Sequence, residues 1–339
     1  MLKITDLTLQ DLSFYSLENR YNLLIEKEDT IADVIFRFLF SDQSVVQIEG
    51  SDDTPEELKQ YYFDSLKKQV SKGAPIDFFL TTFSPKFKKS DISNGWIEPD
   101  IADFITLVHL QLIAKTIREI YPYNFRFIIA FKGDLYKRIG DWSDTELDRT
   151  FNVLSELNLA AEKITGTRNS IILKRWDEMF GNSLGEFENN HERKAEYYYR
   201  LWKDQKEPYI TQIENWKSDF KPYLEYEEKT EEIFDFFLTK EACRIRAFNN
   251  LIFREGKALE DFQSLNPNML IAHTSKKSKF FNLMLNPHFQ NRTHLKLTIL
   301  EENDEWDMKK WEDIKDSGYK PIYIEEFGFP FYFEKEKTE

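Results

Sequence analysis

Short apolar runs alternate with longer amphipathic segments over the first half of the chain. The apolar runs are bounded by turn residues and predict buried strands, at residues 76–83, 125–131 and 169–174. The amphipathic segments have apolar residues at helical spacing and predict helices, at residues 31–40, 55–72, 99–121 and 143–164. Since a strand, a long helix and a second strand form a crossover unit, we expect the strands to be parallel neighbours.

The pattern changes twice in the second half of the chain. Residues 185–257 predict charged helices rich in aromatic residues, which Pro208 and Pro222 interrupt. Short predicted strands then return, at residues 268–273, 279–285, 293–300, 320–326 and 329–334, with a predicted helix at 305–316. The whole pattern predicts an α/β fold, in which a Rossmann-like, partly parallel sheet carries a helical insertion and a β-rich C-terminal part.

These changes of pattern divide the chain into three parts. We expect a Rossmann-like α/β part over residues 1–180, a helical segment over 181–258 and a β-rich part over 259–339. The helical segment is interpreted either as an insertion with solvated charged faces or as a cap that closes over a ligand. The C-terminal part is expected to pack with the first part as one unit.

The composition of the chain indicates what kind of protein it is and which partners are disfavoured. Hydrophobic residues make up 41% of the 339 positions and charged residues 31%, which favours a folded globular chain over a disordered one. The net charge of −14 disfavours nucleic acid or an anionic membrane as the main partner, because the overall field repels phosphate. The N-terminus lacks a signal-peptide pattern and no stretch approaches the ~20 apolar residues of a membrane span, so we expect a cytoplasmic protein.

Basic residues cluster directly after two of the predicted strands. They are Lys86, Lys88 and Lys89 after the strand at 76–83, and Lys132, Lys137 and Arg138 after the strand at 125–131. Ligands of open α/β sheets bind off the carboxyl ends of the strands, so two parallel strands would bring both loops to one sheet edge. There the loops predict a site for a small anion, such as a sugar phosphate or a carboxylate. The alternative is that these lysines only solubilise the loops.

Among the five histidines, His273 is the best candidate for acid–base chemistry, because it ends a predicted strand and precedes a basic turn. A structural role is the alternative for this residue. His109 is expected to be structural and His191 to be solvated, while His288 and His294 are weaker candidates for proton transfer.

The common sequence motifs for nucleotide and metal binding are missing from the chain. The chain lacks GxGxxG, GxxxxGK[ST] and HExxH, so the usual nucleotide and metal sites are unsupported. Its one cysteine, Cys243, can form no intrachain disulfide and is expected to be structural. Arg244, Arg246 and Arg254 lie on a predicted helix over 241–255, where arginine would suit a carboxylate or phosphate. The alternative is surface pairing with nearby glutamates.

Several pieces of the chain follow one another in an order known from one family. The segment IDFFLTTFSPKFKKS is similar to a strand that ends in a Phe-Pro and Lys-Ser loop, although the Phe and Pro are split here, as Phe83 and Pro85. Lys86 matches without a gap, and the pair Lys89-Ser90 matches after a small insertion. Further along, Gly133 and Gly140 match after a Tyr-Pro and a strand, and Arg246-Ala247-Phe248 matches on a helix. The last matches are His273 at the end of LIAH, His294, and the closing segment GYKPIYIEEFGFPFYFE. Over roughly residues 70–160 and 240–334 the chain thus resembles the isonitrile (isocyanide) synthase family, also known as the pyoverdine/dityrosine biosynthesis family.

Three places depart from the family pattern. Phe131-Lys132 stands where the family has Ser-Asp before the first glycine, and Met269 stands where the family opens the His-bearing strand with Arg. His294 matches the His of a later Trp-His pair, whose Trp is Thr293 here.

The resemblance implies a specific reaction. In this family the amine of an amino acid condenses with the ketone of ribulose 5-phosphate, and rearrangement and elimination leave an isonitrile carbon on the amino-acid nitrogen. No metal or nucleotide cofactor is implied, and an iron- and 2-oxoglutarate-dependent oxygenase is implied as a pathway partner. The implied catalytic residues are His273, for proton transfer, and Lys86. The matching positions imply substrate- or phosphate-binding roles for Lys89, Ser90, Gly133, Arg246 and His294, and the pattern of basic residues adds Lys132 and Arg244 to these candidates.

Three hypotheses follow for the function. The first is an isonitrile synthase, which the retained His273, Gly133 and lysine loop favour. The second is a relative that uses the same condensation but ends at an N-formyl amino acid. The third is a non-catalytic module that binds a small anion or a protein, which the change from Ser-Asp to Phe131-Lys132 favours.

Overall fold

A computed structural model describes most of the chain. The described residues are 3–40, 46, 55–82, 99–131, 133, 143–180, 183–220, 231–253, 258–273, 281–288, 297–309, 311–325, 327 and 330–336. No helix within these ranges is both long enough and apolar enough to cross a membrane.

A five-stranded parallel sheet forms the centre of the fold, with the order β3-β2-β1-β4-β5. Its strands are β1 (Ile76–Thr82), β2 (Phe125–Phe131), β3 (Ile171–Arg175), β4 (Met269–His273) and β5 (Phe281–Asn282). The expected parallel pairing is therefore confirmed, and β1 is flanked by β2 on one side and by β4 on the other. The fifth strand is shorter than the predicted strand at 279–285.

The crossover helices explain why this sheet is parallel. The helices of this part are α1 (Ile31–Phe40), α2 (Glu56–Ser71), α3 (Ile101–Arg118) and α4 (Asp144–Thr165), preceded by 3-10 turns at Ile4–Asp6 and Phe14–Tyr21. Helix α3 connects β1 to β2, and it is buried on nearly all sides because it packs between the sheet and α4. All four predicted helices are present; the first matches at both ends, and the ends of the others differ by one to three residues.

Different helices pack against the two faces of the central sheet. Alternate strand residues such as Phe78, Phe127 and Ile129 pack into one core with α1 to α4. On the other face, the ring of Phe79 lies 4.3 Å from that of Phe262, which belongs to a later helix. This two-faced cover suits strands that read as continuous apolar runs.

The central part of the chain is helical, as predicted. Its helices are α5 (Trp176–Phe180), α6 (Ser183–Lys203), α7 (Tyr209–Phe220), α8 (Glu231–Phe253) and α9 (Ala258–Leu265). Helices α6, α7 and α8 share a small core of their own, which includes Tyr198, Ile213 and Cys243. Pro208 separates α6 from α7, as predicted, whereas Pro222 lies outside the described residues.

A second, four-stranded sheet follows, with the order β7-β6-β9-β8. Its elements are β6 (Leu297–Leu300), β7 (Trp306–Lys309), the short helix α10 (Trp311–Ile314), β8 (Tyr319–Tyr323) and β9 (Pro330–Lys335). Phe327 and Phe331 belong to the same core as the central sheet, so this part packs directly against the first.

The predicted helix at 305–316 is wrong in its first half. Trp306 and Met308 are buried while Asp307 between them is exposed, which is the alternation of a strand. Strand β7 pairs with β6 in antiparallel register, from Leu300–Trp306 to Leu297–Lys309. Four residues are too few for their alternation to outweigh the helical pattern of the residues that follow.

Candidate functional site

The carboxyl ends of three neighbouring strands define the candidate site. Thr82 at the end of β1 is the direct partner of Phe131 at the end of β2. On the other side of β1, strand β4 ends at His273, one residue beyond the pair that Leu80 forms with Ala272. The ends of β1, β2 and β4 therefore lie side by side, as the parallel arrangement predicts. The two groups of basic residues follow β1 and β2 in the chain, and His273 ends β4.

Several predicted site residues lie outside the described residues. They are Lys86, Lys89, Ser90, Lys132 and His294. Their proposed roles stay predictions. Of His273, the structure describes the backbone position, where it pairs with Asn282 of β5.

Helices α3 and α4, which follow the two groups of basic residues in the chain, both begin with a capping box that includes a carboxylate. In α3, the Asp100 side chain accepts the N–H of Ala102 at 3.0 Å and Asp103 accepts the N–H of Asp100 at 3.0 Å. In α4, Ser143 Oγ accepts the backbone N–H of Glu146 at 3.2 Å, and the Glu146 carboxylate accepts the backbone N–H of Ser143 at 2.8 Å. These capping boxes fill the positions where a helix N-terminus would otherwise attract phosphate. This arrangement favours side-chain cations over these two helix N-termini as the groups that hold an anion at this edge.

Asp100 also connects the start of α3 to the second sheet. Its other carboxylate oxygen accepts a hydrogen bond from Thr298 Oγ1 of β6 at 3.0 Å, and both residues are buried. The segment that contains Lys86 and Lys89 precedes Asp100 in the chain, and His294 precedes β6 by a few positions. The Asp-x-x-Asp spacing at the start of α3 is a recognisable capping signal, but no sequence pattern indicates the hydrogen bond between Asp100 and Thr298.

Gly133 is the first described residue after β2, and no larger residue fits there without rearrangement. A Cβ atom built on Gly133 would lie 2.1 Å from Cε1 of the buried Phe131 ring. The close approach of the backbone to this ring explains the glycine in physical terms. Shape alone therefore accounts for a glycine at position 133, and its proposed binding role stays a prediction.

The two predicted arginines on α8 have different environments. Arg244 is exposed, and its guanidinium forms an ion pair with Glu241 at 2.5 Å. Arg246 is half-buried, its guanidinium lies 5.7 Å from the centre of the Tyr198 ring, and its buried Nε has no hydrogen-bond partner among the described residues. A buried donor without a partner favours an incoming acceptor, so Arg246 is the better candidate for binding an anion. Arg254 lies outside the described residues.

Two histidines prove to be structural, one against expectation. His109 is buried as expected, with Nδ1 2.6 Å from the hydroxyl of Tyr21 and Nε2 3.1 Å from the carbonyl of Met284. The prediction that His191 is solvated is wrong, because it is buried and its Nε2 donates to the carbonyl of Arg244 at 2.8 Å. The charged neighbours of His191 suggested exposure, but its side chain lies on the buried face of α6.

His288 is also held in a structural role. Its Nε2 donates to the carbonyl of Leu12 at 2.8 Å, and burial lowers the pKa of the imidazole from 6.5 to about 4. The ring is therefore neutral near pH 7, and the cost of desolvating its charged form opposes protonation. This environment makes His288 a poor proton shuttle at neutral pH.

The lowered pKa of His288 predicts a pH-dependent stability. Between about pH 6.5 and pH 4 the unfolded chain binds a proton that the folded chain does not, so stability falls as the pH falls through this window. We expect the wild type to lose about 2 kcal/mol more than His288→Gln on acidification from about pH 7 to pH 4.5, since glutamine retains a donor but does not titrate. Urea denaturation of both proteins across this range measures the difference. Parallel stability curves would contradict the prediction.

Other candidate chemistry is weak among the described residues. Cys243 is buried, and burial raises the pKa of its thiol to about 12, which keeps it protonated and unreactive. No group of three or more His, Cys, Asp or Glu side chains that could hold a metal ion occurs in the described ranges. A cleft between Lys68, Asp77 and Met269 lies at the opposite, amino edge of the central sheet.

Comparisons with known proteins agree with this architecture. The crystal structure of the PvcA protein from Pseudomonas aeruginosa superposes with a TM-score of 0.67 at 14% sequence identity, over 91% of this chain and 100% of that chain. At this identity the likeness shows the fold alone, and it confirms the predicted α/β class. No curated protein matches the sequence.

A family assignment comes from the sequence itself. The sequence model described as pyoverdine/dityrosine biosynthesis protein matches residues 66–304, which is more than two thirds of the chain. The match includes β1, α3, β2 and β4, and so all three strand ends of the candidate site. The resemblance noted from the loops, glycines and LIAH strand is thereby confirmed, and this chain belongs to the pyoverdine/dityrosine biosynthesis family.

Proposed function

We propose that this protein is an isonitrile synthase that condenses the amine of an amino acid with the ketone of ribulose 5-phosphate. The observation that carries the proposal is the meeting of β1, β2 and β4 at one sheet edge in a chain of this family. The segments that bear Lys86, Lys89 and Lys132 and the residue His273 all follow or end these strands.

The reaction requires two anion sites and one proton-transfer group. Ribulose 5-phosphate brings a phosphate, and the amino acid brings a carboxylate, into a protein whose net charge is −14. Because capping boxes with their own carboxylates occupy the N-termini of α3 and α4, local lysines and arginines are the better candidates to bind these groups. We assign Lys89, Ser90 and Lys132 to the phosphate, and Lys86 to catalysis beside it.

Arg246 supports the second anion site. Its Nε is buried and without a hydrogen-bond partner among the described residues, and its guanidinium lies beside Tyr198. We assign it to the amino-acid carboxylate, since guanidinium and carboxylate match in geometry. Arg244 is not assigned a binding role, because Glu241 already neutralises it.

His273 is assigned to proton transfer. When the amine adds to the ketone carbon, the carbonyl oxygen becomes a hydroxyl that leaves as water, and the nitrogen forms a double bond to carbon. A general acid has to protonate the leaving hydroxyl, and imidazole titrates in the range that suits this step. His294 is proposed as a further substrate-binding residue, because the strand that follows it is bonded to the start of α3 through Thr298.

Mass spectrometry of the purified protein with ribulose 5-phosphate and a pool of the twenty amino acids tests the proposal. We expect one amino acid to gain a carbon and lose two hydrogens, as an amine becomes an isonitrile. A product that gains one carbon and one oxygen instead would identify an N-formyl product. Binding of ribulose 5-phosphate without any product would favour a non-catalytic module, which the change at Phe131-Lys132 also favours.

The arginine pair on α8 supplies a matched control for this assay. Arg246→Gln is expected to raise the KM for the amino acid by about tenfold or more, since a charge-assisted contact is lost. Arg244→Gln should stay within about twofold of the wild type, because exposed ion pairs contribute little. Equal effects of the two substitutions would contradict the assignment of Arg246.

A further inference from the structure

The end of β4 is held in the sheet by an unusually small element. The last pair between β1 and β4 joins Leu80 to Ala272. His273, one residue further along, pairs with Asn282 of β5, and β5 contains only two residues. The backbone position of His273 therefore depends on where this short strand lies.

A buried tyrosine from α2 fixes that short strand. The hydroxyl of Tyr62 accepts the backbone N–H of Phe281, the first residue of β5, at 3.0 Å. The same hydroxyl donates to the backbone carbonyl of Ile271 in β4. One side-chain oxygen thus bridges two neighbouring strands, at Ile271, two residues before His273, and at Phe281, one residue before Asn282.

The ring of Tyr62 is itself firmly placed. The side chain is 1% exposed, and its ring lies parallel to Phe78 of β1 at 6.4 Å and 6.0 Å from the ring of Phe281. Tyr62 therefore contacts β1 and β5 with its ring and bridges β4 and β5 with its hydroxyl. A group packed on all sides transmits a shift to its partners instead of absorbing it.

We propose that Tyr62 is a positioning residue that fixes the backbone position of His273 by bridging β4 and β5. The proposal rests on the proposed function for the role of His273, but the placement of the bridge does not. Tyr62 is too deeply buried to contact a substrate, so its effect has to pass through the strand ends. Nothing in the sequence pattern marked this residue, which lies among ordinary helix residues of α2.

The chain contains a matched control for this proposal. Tyr121 is equally buried, and its hydroxyl lies 2.5 Å from the carbonyl of Ala74 and 3.3 Å from that of Gln69. These carbonyls lie near the start of β1, at the amino edge of the sheet and away from the candidate site. Tyr62→Phe and Tyr121→Phe therefore remove the same buried hydroxyl at opposite edges of one sheet.

The experiment compares the two variants in turnover and in the titration of His273. Tyr62→Phe is expected to lower kcat by about 10²-fold with little change in KM, because small misplacements of a reacting group cost about that much. Tyr121→Phe should keep kcat within about threefold while losing a similar amount of thermal stability, since each loses one buried hydrogen-bonding group. Equal and small effects of both on kcat would overturn the proposal and leave Tyr62 as a purely structural residue.

A second measurement separates this proposal from the proposed function. NMR of imidazole-labelled protein follows the titration of His273 without requiring any reaction. We expect Tyr62→Phe, and not Tyr121→Phe, to move the His273 midpoint by about 0.5 pH unit or more, because a displaced backbone puts the imidazole in a different electrostatic environment. If the wild type forms no product, a moved midpoint still supports the positioning role. An unmoved midpoint overturns the positioning role whatever the activity.

Discussion

Replacing His273 with glutamine is expected to lower turnover by about 10²–10⁴-fold, the usual contribution of general acid–base catalysis. Glutamine keeps a polar side chain at the end of β4 but cannot transfer a proton near pH 7. The KM values for both substrates should change little, because the proposed anion sites are elsewhere. Steady-state kinetics of product formation, together with the pH dependence of kcat, measure the effect.

His288 provides the control for this substitution. Its Nε2 donates to the carbonyl of Leu12 and burial keeps the ring neutral, so His288→Gln should leave turnover near pH 7 within about twofold. The limb of the pH–rate profile that a histidine produces should disappear in His273→Gln and persist in His288→Gln. Full activity of His273→Gln would contradict the proposed role and direct attention to Lys86.

Replacing Gln111 with leucine is expected to destabilise the fold by about 3 kcal/mol, because several buried polar groups lose their partner together. The side chain of Gln111 is fully buried in α3, and its Nε2 donates to Asn158 Oδ1 at 2.9 Å and to the Asn158 carbonyl at 3.1 Å. Its Oε1 lies 2.8 and 2.7 Å from the hydroxyls of Thr165 and Thr167. This network joins the middle of α3 to the last turn of α4 and the residues after it.

Thermal unfolding gives the clearest measurement of this effect. For a chain of this length a loss of about 3 kcal/mol corresponds to a fall in Tm of about 4 °C. The matched control is Gln60→Leu, because Gln60 is exposed on α2 and donates only to Asp64 at 3.0 Å. This control should change stability by less than about 0.5 kcal/mol. Similar Tm values for the two variants would show that the buried network contributes no more than a surface pair.

Much of the central sheet could be predicted because its elements carry strong local signals. The runs at β1 and β2 are short, apolar and bounded by turns, and α3 and α4 have helical spacing with capping residues. Strand β7 could not be predicted in this way, since its four residues gain their conformation from pairing with β6. Local pattern fails where a long-range partner decides the structure.

The candidate site was predictable in outline and not in detail. Parallel neighbours place the ends of β1, β2 and β4 together, and this follows from the order of elements. The sequence could not distinguish Arg246 from Arg244, because only the packing shows that Glu241 pairs with one and that the other has an unpartnered Nε. His191 illustrates the same limit, although its spacing with the buried Ala195 and Tyr198 offered a signal for the inner face of α6.

The carboxylate caps of α3 and α4 have a consequence for how such proteins diversify. Each cap stabilises its helix without any ligand, so the folding of the crossover units does not depend on what the preceding loops bind. Substitutions in those loops are therefore free to change the charge and shape of a bound molecule with little penalty to stability. Selection for a new substrate can proceed in the loops while the sheet and its helices stay the same.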